Sequence, residues 1–231
     1  MRTYWLAIFL LFQISCLNTN NQEDFKLQKG DILFQDLDTS PLCNAIELVS
    51  SGYKGANFSH IGIIVELGDP FCQDPNYNYS DHIRILESLP DKVRTTSIDS
   101  FLNRSFDKNY NPKVIVGRLK PEYRHAIQNA ISFSKQKLGM KYDHAFLMNN
   151  DSYYCSELIY KAFEKDSIFK LEPMTFLHPQ NHETLQTWKD YYAELQIEIP
   201  ENELGINPGI MSLSKKIEIV HLYGIPNGMR K

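Results

Sequence analysis

The sequence predicts an α+β domain: a small, mostly antiparallel sheet or half-open barrel, with a helix that opens at Cys155 packed across it. Three observations lead there. Short apolar, β-branched runs bounded by turn residues recur through the first half of the chain, whereas apolar residues at helical spacing gather in the second half. The length of 231 residues is that of one ordinary to large domain. A hydrophobic content of 42% with 13 Phe and 13 Tyr rules out a disordered chain, a collagen-like repeat and a disulfide-dense miniprotein.

Taken in order, Gly30-Asp31-Ile32-Leu33-Phe34 is a turn followed by a first strand, and residues 42–49 form a short helix. Residues 61–65 are a continuous apolar run too short for a typical helix, which predicts a buried strand with His60 at its entrance. A loop rich in Pro, Asn and Tyr covers 68–80. Strands are expected at 83–86, with Glu87 at the end, at 93–96 and at 113–119. Pro121 opens a helix whose apolar positions Ala126, Ile127, Ala130, Ile131 and Leu138 keep helical spacing, and Gly139 stops it. Further helices are expected at 155–164 and 182–195, and a last strand at 217–223. No internal repeat or interdomain linker interrupts this pattern.

Residues 1–16 stand apart. Arg2, the apolar run 4–12 and the small Ser15 beside Cys16 have the form of an export signal, and the run is too short to span a bilayer. Ile14-Ser15-Cys16 resembles a bacterial lipobox, although Gln13 stands where Leu is usual. Lipidation at Cys16 and an ordinary signal with a chance Cys therefore stand side by side. Residues 17–25 read as a polar tether and 26–231 as a single domain. The expected location is the cell envelope, periplasmic or membrane-anchored. Cys43, Cys72 and Cys155 remain in the mature chain, an odd number, so one thiol has no partner within it. Cys43 and Cys72 are either a disulfide or two ordinary buried thiols. The net charge of −4 leaves no excess of positive charge for phosphates, which excludes nucleic acid as a partner.

Cys155 opens a helix, where unpaired N–H groups and the helix dipole favour a sulfur anion. A thiol nucleophile needs a base, and His60 at a strand entrance is the candidate. An imidazole needs a partner to fix its tautomer, and Glu87 on the next strand is placed for that. Taken singly, each residue has an ordinary explanation: a core thiol, a hydrogen-bonded histidine, a solvated carboxylate. The other histidines, His82, His125, His144, His178, His182 and His221, lack metal-ligand spacing, so no metal site is expected.

Together with the first-strand segment, Phe58-Ser59-His60-Ile61-Gly62-Ile63, Ile85-Leu86-Glu87-Ser88, Gly139-Met140-Lys141-Tyr142-Asp143 and Tyr154-Cys155-Ser156-Glu157-Leu158 resemble the permuted papain-like amidases. These form the YiiX/YaeF-like branch of the NlpC/P60 superfamily, akin to the C92 cysteine peptidases. Here the His strand precedes the Cys helix, the reverse of papain's order, as in that circularly permuted family. The resemblance implies a permuted papain-like fold with Cys155 as nucleophile, His60 as general base and Glu87 as the orienting acid. Tyr142 matches a family Tyr and is a candidate donor to substrate or oxyanion, or else a packing residue; Asp143 is expected to cap local structure. No cofactor is needed for such chemistry.

The expected function is a cysteine-dependent hydrolase of amide or peptide bonds that works through a thioester. Its partner is a cell-wall peptide or an acyl-amide or other lipid substrate. The alternatives are a lipid amidase, esterase or acyltransferase on the same scaffold, and a non-catalytic envelope binding module.

Overall fold

A computed structural model describes residues 25–230. The expected leader at 1–16, with the candidate lipidation site Cys16, and residues 17–24 of the expected tether lie outside the described residues. Phe25, the last residue of the expected tether, stacks on His221 with ring centroids 4.1 Å apart.

Six strands form one antiparallel sheet: β1 (Ile32–Gln35), β2 (His60–Glu66), β3 (Arg84–Ser88), β4 (Val93–Ser97), β5 (Val114–Leu119) and β8 (Ile217–Leu222). Their order is β4-β3-β2-β1-β5-β8. The two short strands β6 (Glu172–Pro173) and β7 (Leu204–Gly205) pair separately. The helices are α1 (Pro41–Leu48), α2 (Ile98–Leu102), α3 (Ile127–Gln136), α4 (Cys155–Phe163), α5 (Gln186–Leu195) and α6 (Pro208–Ser212). The fold is thus α+β with an antiparallel sheet packed against the Cys155 helix, as the sequence predicts.

Apolar residues cover both sheet faces, which is why β2 and β5 read as unbroken apolar runs rather than alternating ones. On one face Ile61, Ile63 and Val65 pack with Leu158, Ile159 and Phe163 of α4. On the other, Leu33, Ile64, Ile85 and Val116 pack with Ile98 and Phe101 of α2. The two-sided burial excludes water from strands that carry polar side chains at their ends.

Several element boundaries differ from the sequence reading. The segment after Pro121 begins as a 3₁₀ turn (Pro121–Ala126) before α3, and Gly139 beyond it adopts φ +83°. The helix expected at 182–195 is α5 and begins at Gln186, because His182 has a left-handed φ of 58° within a turn closed by the Leu177–Thr184 bridge. α2, α6, β6 and β7 were not expected. Cys43 and Cys72 are both free; Cys43 is half-buried and Cys72 exposed, so neither the disulfide nor a pair of buried thiols describes them.

Gly62 matters for the site. The pairing Ile63↔Leu86, carried one residue along, sets Gly62 against Glu87 and leaves His60 diagonal to Glu87 on the same face. A Cβ at Gly62 would lie 2.5 Å from Ile85 Cγ2 and 3.2 Å from a Phe101 ring carbon. Gly62→Ala is expected to cost about 1–3 kcal/mol by overpacking, read as a lower thermal midpoint. An unchanged midpoint would show that the strand interface yields freely.

Candidate active site

α4 begins at Cys155 because Tyr154 before it is extended (φ −80°, ψ 169°) and offers no side-chain cap. Tyr154 is instead held elsewhere: its hydroxyl donates to Met148 Sδ at 3.2 Å and accepts from the Ile206 N–H at 3.2 Å. The Ser88 hydroxyl donates to the Tyr153 carbonyl at 2.5 Å, which ties the end of β3 to the turn leading into the helix. Cys155 is buried, with Sγ 3.9 Å from the Ser59 carbonyl oxygen.

His60 Nε2 lies 2.6 Å from Glu87 Oε2, and the residue before it, Ser59, meets Cys155 Sγ with its carbonyl oxygen; with Nε2 engaged, Nδ1 is the ring nitrogen left to serve the sulfur. Burial alone would pull the imidazole's pKa down, but the neighbouring Cys155 thiol, together with the bond to Glu87 and its charge, outweighs it and pushes it up to about 9. The structure therefore joins His60 to Glu87 by a hydrogen bond and sets Cys155 beside them.

Glu87 has no exposed surface. Arg104 grips it with both arms of the guanidinium, Nη1 to Oε2 at 2.7 Å and Nη2 to Oε1 at 2.6 Å, and the Thr96 hydroxyl donates to Oε1. Burial alone would raise the carboxyl's pKa, yet the bonds from Arg104 and His60 hold it well below the usual carboxylate range. Sequence reasoning missed Arg104 and Thr96. Neither sits in a motif, and nothing in the loop after α2 marks Arg104.

Tyr142 and Cys155 line a common cavity of about 260 Å³, and no hydrogen bond among the described residues engages the Tyr142 hydroxyl. Burial, then the neighbouring Cys155, keeps that phenol protonated well above its ordinary range. Asp143 accepts from the N–H groups of Ala145 and Leu147 at 2.9 and 2.7 Å, so it caps the following turn. The cavity's other walls are largely apolar: Ile46 of α1, Val49 just beyond it, Phe146, Met174, Phe176, Trp188 and Ile206. Most of these come from beyond Phe163, the part of the chain where no motif guided the sequence reading.

A metal fits poorly. Among the described residues, the group able to offer metal ligands is Asp36, Asp38 and Glu47, whose carboxylates lie within 4.8 Å of one another. Lys113 Nζ already lies 2.9 Å from Asp36 Oδ1 and also bonds Asp38, so an ammonium supplies the cation there. Glu47 bonds the Ser59 hydroxyl at 2.7 Å, and burial foremost pushes its pKa up to about 7.

The sequence profile of the family described as permuted papain-like amidase enzyme, YaeF/YiiX, C92 family, matches residues 26–221, and the chain belongs to that family. It is accordingly a papain-like cysteine amidase or peptidase. Among solved structures, it is similar to the metalloprotein yiiX of Escherichia coli O157:H7, with a TM-score of 0.64 and 21% identity over 87% of this chain and 99% of that one. That likeness is one of fold. No curated protein matches the chain.

Glu157, two residues into the same helix, is buried with Oε2 unpartnered. Burial first, then the charge of Asp143, pushes its pKa up from 4.5 to about 8. A raised folded-state value means the group favours folding below its ordinary pKa and loses that contribution as pH rises from about 4.5 through about 8. Glu157→Gln is expected to flatten the decline of thermal midpoint between those pH values. The same slope in both proteins would mean that Glu157 is not protonated in the fold.

Proposed function

We propose that this chain hydrolyses amide bonds through a covalent thioester, with Cys155 as nucleophile, His60 as acid and base, and Glu87 as the carboxylate that orients His60. The observation that carries this reading is the imidazole hydrogen-bonded to a buried carboxylate and set beside the thiol that opens α4, whose sulfur meets the carbonyl of the neighbouring Ser59.

The sulfur, its proton held by His60, attacks the carbonyl carbon and forms the C–S bond. The Cys155 backbone N–H, at the start of α4, and the free Tyr142 hydroxyl are the donors proposed for the oxyanion. As the C–N bond breaks, the imidazolium gives its proton to the leaving nitrogen. His60, now neutral, takes a proton from water, whose oxygen attacks the thioester and expels the thiolate. Arg104 and Thr96 keep Glu87 ionised, and so hold the imidazole in one tautomer throughout.

Of the two substrate classes, the apolar cavity beside Cys155 favours an acyl amide or ester over a cell-wall peptide. A long apolar acyl group would pack against Ile46, Val49, Phe146, Phe176 and Ile206, the apolar part of a wall that also carries the polar Ser50, Glu172, Thr175 and Asn207. The reading also places the enzyme in the cell envelope, delivered by the leader at 1–16. Fatty acid released from micellar N-acyl amides supports the acyl reading; soluble peptides released from purified sacculi, without fatty acid release, would replace it.

Cys155→Ala is expected to abolish turnover with the fold intact, and parent-like hydrolysis by that variant would overturn the mechanism. Acylation needs the His60 proton, which is kept below about 9 and lost above it. The rate of acylation should therefore hold through neutral pH and fall as pH rises past about 9, as measured by single-turnover kinetics.

A further inference from the structure

Glu87 offers about four lone-pair sites, and each has a donor. Oε1 takes the Thr96 hydroxyl and Arg104 Nη2, while Oε2 takes Arg104 Nη1 and His60 Nε2. Two of the four donors therefore come from one guanidinium, which arrives from the loop beyond α2. Arg104 is itself fixed: its guanidinium carbon lies 5.1 Å from the centroid of the Phe101 ring, and that ring lies 5.7 Å from the ring of His60. One aromatic side chain thus supports both cations that share the carboxylate.

We infer that Arg104 is a positioning residue of the active site, a fourth member that sets both the orientation of His60 and its affinity for a proton by sharing Glu87 with it. The inference rests on the proposed Cys155, His60 and Glu87 roles and assigns their regulation. A bidentate fork locks the carboxylate plane, so the one lone pair left on Oε2 has a single direction, and the imidazole takes its orientation from it. The guanidinium also answers part of the Glu87 charge. With Glu87 alone opposite it, His60 would hold its proton more tightly and be a less available base for hydrolysing the thioester at neutral pH. The titratable groups around His60 are Glu87 on β3, Cys155 on α4 and, behind Glu87, Arg104; Tyr142 lines the same cavity as Cys155. Arg104 does not line the cavity, so its effect should fall on kcat and not on substrate binding.

The test compares Arg104→Met, which removes fork and charge, with Arg104→Lys, which keeps the charge and loses the fork. In the Met variant kcat at pH 7 is expected to fall about tenfold or more with KM within about twofold, and the alkaline limb of the acylation rate to move up by about one pH unit. The Lys variant should keep the limb near its parent position while kcat still falls. The His60 imidazole can also be titrated by NMR in Cys155→Ala and in the Cys155→Ala, Arg104→Met double variant. There a higher midpoint in the double variant is expected, and this readout needs no turnover. An unmoved NMR midpoint together with parent kcat in the Lys variant would make Arg104 merely structural. If the Met variant does not fold, the Lys variant decides: parent kcat overturns the inference, and a reduced kcat with an unmoved limb supports it. Failure of the underlying mechanism would show separately, as turnover surviving in Cys155→Ala.

Discussion

A carboxylate without solvent contact is costly by several kcal/mol unless its charge is paired and its lone pairs are answered. Glu87 meets both conditions, and meeting them draws together parts of the chain that have no local reason to meet: Thr96 from β4, Arg104 from the loop after α2 and His60 from the start of β2. The register of β2 on β3 makes this possible, since it sets His60 diagonal to Glu87 on the same face of the sheet. Were Glu87 displaced, His60 Nε2 would lose the partner that orients the ring.

The same rule operates a second time in the fold. Asp36 and Asp38 close around Lys113, and Asp36 also accepts from the Asn227 N–H at 2.6 Å, fastening the end of the chain to the turn after β1. That array lies on the far side of Ser59, whose hydroxyl bonds Glu47 and whose carbonyl oxygen faces Cys155 Sγ. Two charged clusters thus flank the entrance of β2, one buried around Glu87 beside the imidazole and the other, with Asp38 at its exposed edge, holding the segment before it. Between them His60 has little freedom, the condition under which a proton donor and acceptor is pre-organised rather than recruited at each turnover.

Much of the scaffold was legible before any coordinates. β2 and β5 are apolar runs because both faces are buried, and α4 shows its core face in Leu158, Ile159, Ala162 and Phe163. The segment at 182–195 was read too long because His182 takes a left-handed conformation that composition does not announce. β6 and β7, of two residues each, are too short to carry a period at all. At the site, Cys155, His60 and Glu87 could be singled out because they lie in recognisable segments. Arg104 and Thr96 lie in none, and their importance is visible only as distances to Glu87.

Hydrophobic spacing and turn residues are local properties, recorded along the chain itself, so by itself the sequence determined the succession of strands and helices, the placing of a cysteine at a helix start and the family motifs. What only the tertiary structure decided is which distant groups share a surface: the guanidinium on the carboxylate, the ammonium among the aspartates, and the apolar cavity walled by residues from both ends of the chain. Those outcomes depend on strand register and on the paths of loops, which arise from packing the whole chain at once and leave no periodic trace in any one part of it.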